Sequence, residues 1–525
     1  MKREVINFVA VIGLVMLGAA VVLGLLTGLL FIFPQVSIFG VRSVNERDTE
    51  IVYQDEALVD AFQNGKFILE TSGTQVEVKM SSEGYKWQNN IVVHESATGI
   101  AFNSLNRTLI QWTQCLYGED NEVYYRIKVL EPSGMIFNST STVVYINLPY
   151  RNDDFRYDFV LQNRYSNVNF SFIDETITES DKILLNNLVV ESAASVNIPY
   201  NKKSSVNNVL VPANKTKITC QSQVRGMVSV TGNNNVLKFG NGDDAGITGN
   251  VVVEGNNNTF SGTSANRVNF KAEKGSLNMT KKITALNVET TSAPINVNEV
   301  TGAVKMTTQS GSLHANVIKG GLHFVAGSAS LPLAVATLNV EKVTGETKVE
   351  NYGFGGVTVH NADGDVTIKS SEIGGGAIDV SFANGASGSN KLTIVGYDGN
   401  ISASNINGGI VDISVAGGLL RAGYANVNVQ FNQVGTATIR TGSYPDAGSN
   451  WGNVDVRLGD HCNDLNLFVY HARSVDVSER CNSGNQSILV NQNESGTLSN
   501  YITVSDNSGA VGTIKIYSQT NVYLS

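Results

Sequence analysis

Gly232-Asn233-Asn234-Asn235-Val236 is echoed by Gly255-Asn256-Asn257-Asn258-Thr259, and the echo extends to the apolar residues before each run. The two runs lie about one coil of a β-solenoid apart, given repeat units of roughly 20 residues or more. Asparagine tolerates the left-handed backbone region, and stacked asparagine side chains can hydrogen-bond along a ladder, so such runs suit turns that recur coil on coil. A second pattern is glycine, any residue, then apolar residues two apart. It occurs at Gly249-Asn-Val-Val-Val253, Gly275-Ser-Leu-Asn-Met279, Gly302-Ala-Val-Lys-Met306 and Gly364-Asp-Val-Thr-Ile368, and again at Gly376-Ala-Ile-Asp-Val380, Gly452-Asn-Val-Asp-Val456 and Gly512-Thr-Ile-Lys-Ile516. The unit is a turn plus a short strand. One such strand cannot bury its apolar face alone, whereas like strands laid coil on coil bury a continuous core and satisfy each other's backbone groups. Gly364 to Gly376 is shorter than a coil and Gly275 to Gly302 is longer, so the motif occupies more than one side of the coil or is displaced by loops.

Composition points the same way. With 42% of its 525 residues hydrophobic and 16% charged, the chain is too apolar for disorder. Glycine is abundant at 51 residues and proline scarce at 8, as expected for many tight turns between strands that need every backbone N–H. No Gly-X-Y period exists, which excludes collagen. The formal charge of −9 without a long basic run argues against nucleic acid as a partner.

The apolar stretch Val5 to Phe33, after Lys2-Arg3-Glu4 and closed by Pro34, exceeds the roughly 20 residues that span a bilayer as a helix. It is also longer than the core of a cleavable signal peptide, and no small-residue cleavage site follows it. It is predicted to be an uncleaved transmembrane signal-anchor over residues 6–33, with residues 1–5 cytoplasmic and 34–55 a polar stalk. Ala20, Gly24 and Gly28 form a strip of small residues on which a second helix can pack, although glycine is common in membrane helices in any case. Lys2 and Arg3 nearly balance Arg42 and Arg47, so the flanking charges do not orient the span. The four cysteines do, because an even number without a Cys-x-x-Cys pair suits disulfides outside the cell. The reading is a single-pass cell-membrane protein with its C-terminal ectodomain extracellular.

The predicted fold is all-β after the helix: a small N-terminal β-domain over residues 56–205, a parallel β-solenoid over 206–483, and C-terminal coils with a cap over 484–525. About 300 residues in coils of ~21, each rising ~4.8 Å, would give a rod roughly 70 Å long. Cys462 and Cys481 lie about one coil apart, so neighbouring coils can bring them within disulfide range. Cys115 and Cys220 would then pair across the two domains, one of three connectivities that four cysteines allow.

A β-rich segment Phe67-Ile-Leu-Glu-Thr-Ser-Gly73 followed by Val76-Glu-Val-Lys79, a strand ending Val144-Tyr-Ile-Asn-Leu-Pro149, and repeats such as Gly364-Asp-Val-Thr-Ile368, all behind one amino-terminal span, resemble the uncharacterised bacterial adhesin family of membrane-anchored surface β-solenoids. The resemblance covers most of the chain after about residue 60 and implies cell-surface attachment, with no catalytic residues.

Residue patterns for chemistry are sparse. There is no Gly-x-Ser-x-Gly elbow, no Walker loop and no His-Glu-x-x-His. His461, Cys462, His471 and Cys481 fit no standard zinc spacing, which leaves a disulfide with solvated histidines as the better reading. Gly240-Asn-Gly-Asp-Asp244 is a single copy of a calcium-repeat fragment and reads as a polar turn. Asp363 with Asp365, and Asp379 with Asp412, are the acid pairs that could align across coils for polysaccharide cleavage, but they fit a solvated face better. Asn-x-Ser/Thr sequons at Asn106, Asn138, Asn169, Asn214, Asn257, Asn278, Asn400, Asn485 and Asn493 permit glycosylation and are no more frequent than the composition would produce.

The expected function is therefore binding rather than catalysis, without cofactor or metal. Faces rich in Asn, Ser and Thr would hold a glycan or a surface protein by many weak contacts. The membrane is a partner, and homo-oligomers through the membrane helix or the solenoid ends are compatible with the sequence. A structural envelope or filament component built by solenoid stacking is the first alternative, and a polysaccharide-active enzyme the second.

Overall fold

The computed structural model describes residues 12–25, 42–81, 90–101, 108–130, 135–149, 155–172, 182–240, 246–328, 335–371, 374–416, 425–442, 452–459, 462, 465–479, 487–489, 498–505, 511–518 and 522–524. The chain is mostly strand, in one large and mainly parallel set of pairings. It divides into two compact units, Met1–Gln223 and Val224–Ser525, later than the boundary expected at residue 205.

Among the described residues, the first unit holds two helices and thirteen strands. Helix α1, residues 12–25, is exposed along its length, with Leu14 at 73% and Met16 at 69% exposure. Among the described residues, no helix is long and apolar enough to cross a membrane, and the rest of the 6–33 stretch lies outside them. Helix α2, Glu56–Asn64, starts where the Asp55 side chain accepts from the Leu58 N–H at 2.9 Å. It stops at Gly65, whose left-handed φ of 75° lets its N–H reach Ala61 O. Its buried face, Leu58, Ala61 and Phe62, meets Phe67 with ring centroids 5.7 Å apart.

Thirteen strands complete this unit: β1 (Arg42–Tyr53), β2 (Lys66–Ser72), β3 (Gln75–Ser81), β4 (Asn90–Ala101), β5 (Leu109–Tyr117), β6 (Glu122–Leu130), β7 (Met135–Pro149), β8 (Tyr157–Arg164), β9 (Asn167–Phe172), β10 (Lys182–Ser192), β11 (Ser195–Ile198), β12 (Ser204–Val211) and β13 (Lys217–Cys220). They form two parallel runs, β6-β2-β8-β10-β12 and β7-β3-β9-β11-β13. Coil stacking therefore begins at Lys66 rather than after residue 205. The pair β2/β3 lies between β6/β7 and β8/β9, so the chain leaves the stack after β3 and returns on its other side. Antiparallel strands extend the ends: β5 on β6, and β4 then β1 on β7.

In the second unit, inward residues stack in register from coil to coil. One row runs Leu237, Phe260, Leu277, Ile295, Leu313, Leu338, Val357, Ile378, Ile401, Val427, Val454 and Val475. All are at most 3% exposed. Burying each such side chain contributes about 1.5–3 kcal/mol, so the row is a main source of stability. Coil length varies while the row does not: cross-coil partners are 23 residues apart at Asn233 and Asn256, 18 at Asn298 and Asn316, and 27 at Asn426 and Asn453.

The corners explain the asparagine runs. Asn234 and Asn257 adopt left-handed φ values of 59° and 57°. Asn233 Oδ1 accepts from the Asn256 N–H at 2.7 Å, and Asn257 Nδ2 donates to Asn234 Oδ1 at 3.2 Å. Buried Asn258 ties both coils, donating to Gly232 O and Gly255 O at 2.8 Å each and accepting from the Asn235 N–H. Elsewhere Thr290 Oγ1 and Thr308 Oγ1 accept from Ala293 N–H and Gly311 N–H, the same turn one coil on. The last coil is built by Val511–Ser518 and Val522–Leu524, parallel to Leu465–Tyr470 and Ser474–Glu479, with Leu498–Ser505 and Ser487–Leu489 added antiparallel.

Two substitutions test this packing by thermal unfolding. A Cβ at Gly249 would sit 1.6 Å from Gly226 O of the preceding coil, so Gly249→Ala is expected to cost at least about 2 kcal/mol. Thr347 occupies a second inward row, Leu286, Val304, Leu322, Thr347 and Val366, fully buried with no partner for Oγ1. Thr347→Val keeps the shape and is expected to raise stability by about 1 kcal/mol.

Candidate functional site

One side of the second unit, between Ile401 and Glu479, is flat, polar and grooved. The strands that build it alternate buried and outward residues, so each contributes two outward side chains. The register sets one unbroken column, Asp379, Ser402, Asn428, Asp455 and Asp476, and a second that breaks where the register shifts between Ala403 and Ile406, with Ser381 and Ser404 before the break and Gln430, Arg457 and Ser478 after it. A groove of about 470 Å³ follows the last four members of each column. Neighbouring side chains are one strand spacing apart, about 4.8 Å. Ser402, Asn428, Asp455 and Arg457 are exposed.

Asparagine ladders hold the face on both flanks. Ahead of the strands, Asn426 N–H donates to Asn400 Oδ1, Asn453 N–H to Asn426 Oδ1, and Ser474 Oγ to Asn453 Oδ1, all at 3.0 Å. Behind them, Asn405 donates to Asn384 Oδ1 at 2.9 Å and accepts from Asn432. Each link spans one coil, which keeps the outward columns aligned. The face thus offers donors and acceptors at a fixed pitch, with Asp455 and Asp476 side by side and Arg457 two positions further along Asp455's strand.

Of the expected acid pairs, Asp379 and Asp412 are not brought together. Asp379 lies on this polar side, 3.3 Å from His360 Nε2. Asp412 belongs to the other run of strands, aligned with Thr393 and Thr438 and 3.1 Å from Arg440 Nη1. Asp365 Oδ1 accepts from the Lys391 N–H at 2.8 Å, a turn contact. The groove carboxylates Asp455 and Asp476 were missed, although Val454-Asp455-Val456 and Val475-Asp476-Val477 repeat the same triplet one coil apart.

The cysteine reading changes too. Cys115 and Cys220 are free thiols, so the expected pairing across the domains is corrected. Cys220 points into the core of β13, where burial pushes its thiol up to about 12 and Sγ donates to Ser222 O at 3.5 Å. Cys115 packs on β5 against an outer cluster of Ile68, Tyr124 and Val160. Cys462 is buried, its N–H donating to Gly459 O, while Cys481 and His461 lie outside the described residues. So do residues 241–244 of the calcium-like fragment, and Gly28. Ala20 and Gly24 lie on α1, and a Cβ at Gly24 would meet nothing within 4 Å. Among the described residues, no group of three or more His, Cys, Asp or Glu could hold a metal ion.

The outer cluster is the other concentration of titratable groups. Tyr117 OH donates to Glu191 Oε1 and Gln162 Nε2 to Glu191 Oε2, each at 2.7 Å. Burial, with Asp158 and Glu122 nearby, pushes the Tyr124 hydroxyl up to about 12, so it stays protonated. Burial also raises the Asp158 carboxyl, against the opposing pull of Asn186 Nδ2, Asn187 N–H and Lys66. These groups brace the β5–β6 hairpin over the sheet. They form no cleft.

No protein-family model, curated protein or solved structure matches the chain.

One measurement checks this electrostatic picture. A raised folded-state pKa at Asp158 means its protonated form favours the fold, a contribution present in acid and lost as pH rises through the folded value. Thermal melts from about pH 4 to about pH 7 should therefore show the wild type losing stability relative to Asp158→Asn as pH rises.

Proposed function

We propose that the protein is a membrane-anchored surface β-solenoid, similar to the bacterial adhesin family, that binds a glycan through the polar face between Ile401 and Glu479. The observation that supports this reading is the pair of outward columns, in register over the strands from Val427 to Glu479, beside a groove. Serine, asparagine, glutamine and aspartate side chains offer both donors and acceptors, the chemistry that hydroxyl-rich ligands need. Each contact is modest, near 1 kcal/mol net, so useful affinity depends on engaging several coils at once.

Two further features support the placement. Helix α1 exposes an apolar surface within the 6–33 stretch, compatible with a membrane anchor. Cleavage of polysaccharide would need one carboxyl held in an apolar pocket as an acid beside a second acting as nucleophile or base. Asp455 and Asp476 instead share one open polar surface, which favours binding over catalysis.

The full chain in detergent, screened on a glycan array, should retain at least one glycan class, and Asn428→Ala with Gln430→Ala should reduce that retention at least about tenfold with the fold intact. A blank array would remove the glycan reading. On intact cells, added protease should reach the second unit, and full protection would sink the surface location.

A further inference from the structure

We propose that β5 is a self-association edge, at which two copies of this chain pair their β5 strands antiparallel, centred on Thr113. The inference is independent of the ligand-binding reading. β5 is bonded on one side to β6, from Leu109 opposite Leu130 to Tyr117 opposite Glu122, without a bulge. Among the described residues no strand pairs with its other side, so that row of N–H and C=O groups is a template for another strand.

Such edges are ordinarily blunted by charge, proline, a bulge or short length. The nine residues Leu-Ile-Gln-Trp-Thr-Gln-Cys-Leu-Tyr contain no charged residue, no proline and no glycine. The contrast is β1, the terminal strand of the other run, which carries Arg42, Glu46, Arg47, Asp48 and Glu50 and shifts register between Val44 and Arg47. One edge of this unit is guarded and the other is open.

A second copy is the occupant that the sequence suits. An uncharged strand can oppose itself across a two-fold axis with no like charges facing each other, and an isologous contact of this kind closes at a dimer. Centring on Thr113 overlaps all nine residues and sets Leu109, 50% exposed, opposite the partner's Tyr117. The edge is already rigid, because Cys115 and Tyr117 are packed into the outer cluster and Ile110 is buried. Little ordering entropy is then lost on pairing.

Sedimentation of the full chain in detergent tests this. The wild type should be dimeric. Thr113→Lys and Thr113→Glu, each placing like charges opposite one another at an exposed position, should each weaken dimerisation about tenfold or more. Mixing the two variants should restore the dimer, since lysine then faces glutamate. That recovery cannot come from misfolded chains. A monomeric wild type, a dimer indifferent to both variants, or a mixture that stays monomeric would each overturn the proposal.

Discussion

Every strand in the stacked parts of this protein depends on main-chain hydrogen bonds to the coil before it and the coil after it. Most strands are only three to eight residues long, too short to be stable alone. Register is therefore the governing constraint, because a slip of one residue turns the apolar row outward. The rest of the chemistry serves that register. Glycine sits where one corner presses on the next, as at Gly249 on Gly226 O, and asparagine fixes neighbouring corners to each other.

This constraint divides each strand into two kinds of position. Inward residues are dictated by the row they join, and even Thr347 holds its place there at the expense of an unsatisfied hydroxyl. Outward residues are held at the same pitch but are free in identity, so function can be written on them without disturbing the stack. The columns from Asp379 to Asp476 and from Gln430 to Ser478 illustrate this freedom, mixing acid, amide, hydroxyl and guanidinium at equivalent positions. Where such a column is apolar, in the first unit at Ile68 and Val160, it is covered by Tyr117 and Tyr124 from the β5–β6 hairpin.

Much of the fold was legible because repeated turns leave repeated residues. The Gly-Asn-Asn-Asn runs predicted stacked left-handed corners, and Asn234 and Asn257 adopt them. The early start of the stack was hidden for two reasons. Ile68 is apolar on an outward position, which breaks the alternation of Lys66–Ser72, and the partner of β3 at Asn169 lies 92 residues beyond Glu77, far outside any local repeat. Cys115 does not meet Cys220, nor Asp379 Asp412, because spacing in sequence does not say which side of a coil a residue occupies. Cys220 faces the core while Cys115 lies in the outer hairpin, and Asp379 and Asp412 fall on different runs. Asp455 and Asp476 were readable, since Val-Asp-Val returns in step with the coil.

The hydrogen bonds between coils in the second unit all point along the direction of stacking. A pull along that direction loads them coil by coil, so the terminal coil detaches before its neighbour is strained, as expected of repeats that contact only those beside them. The asparagine ladders at Asn400, Asn426 and Asn453 add one more link at each step. Tension would therefore be met by paying out chain in increments of a single coil, a graded extension in which the coils not yet reached keep their outward columns intact.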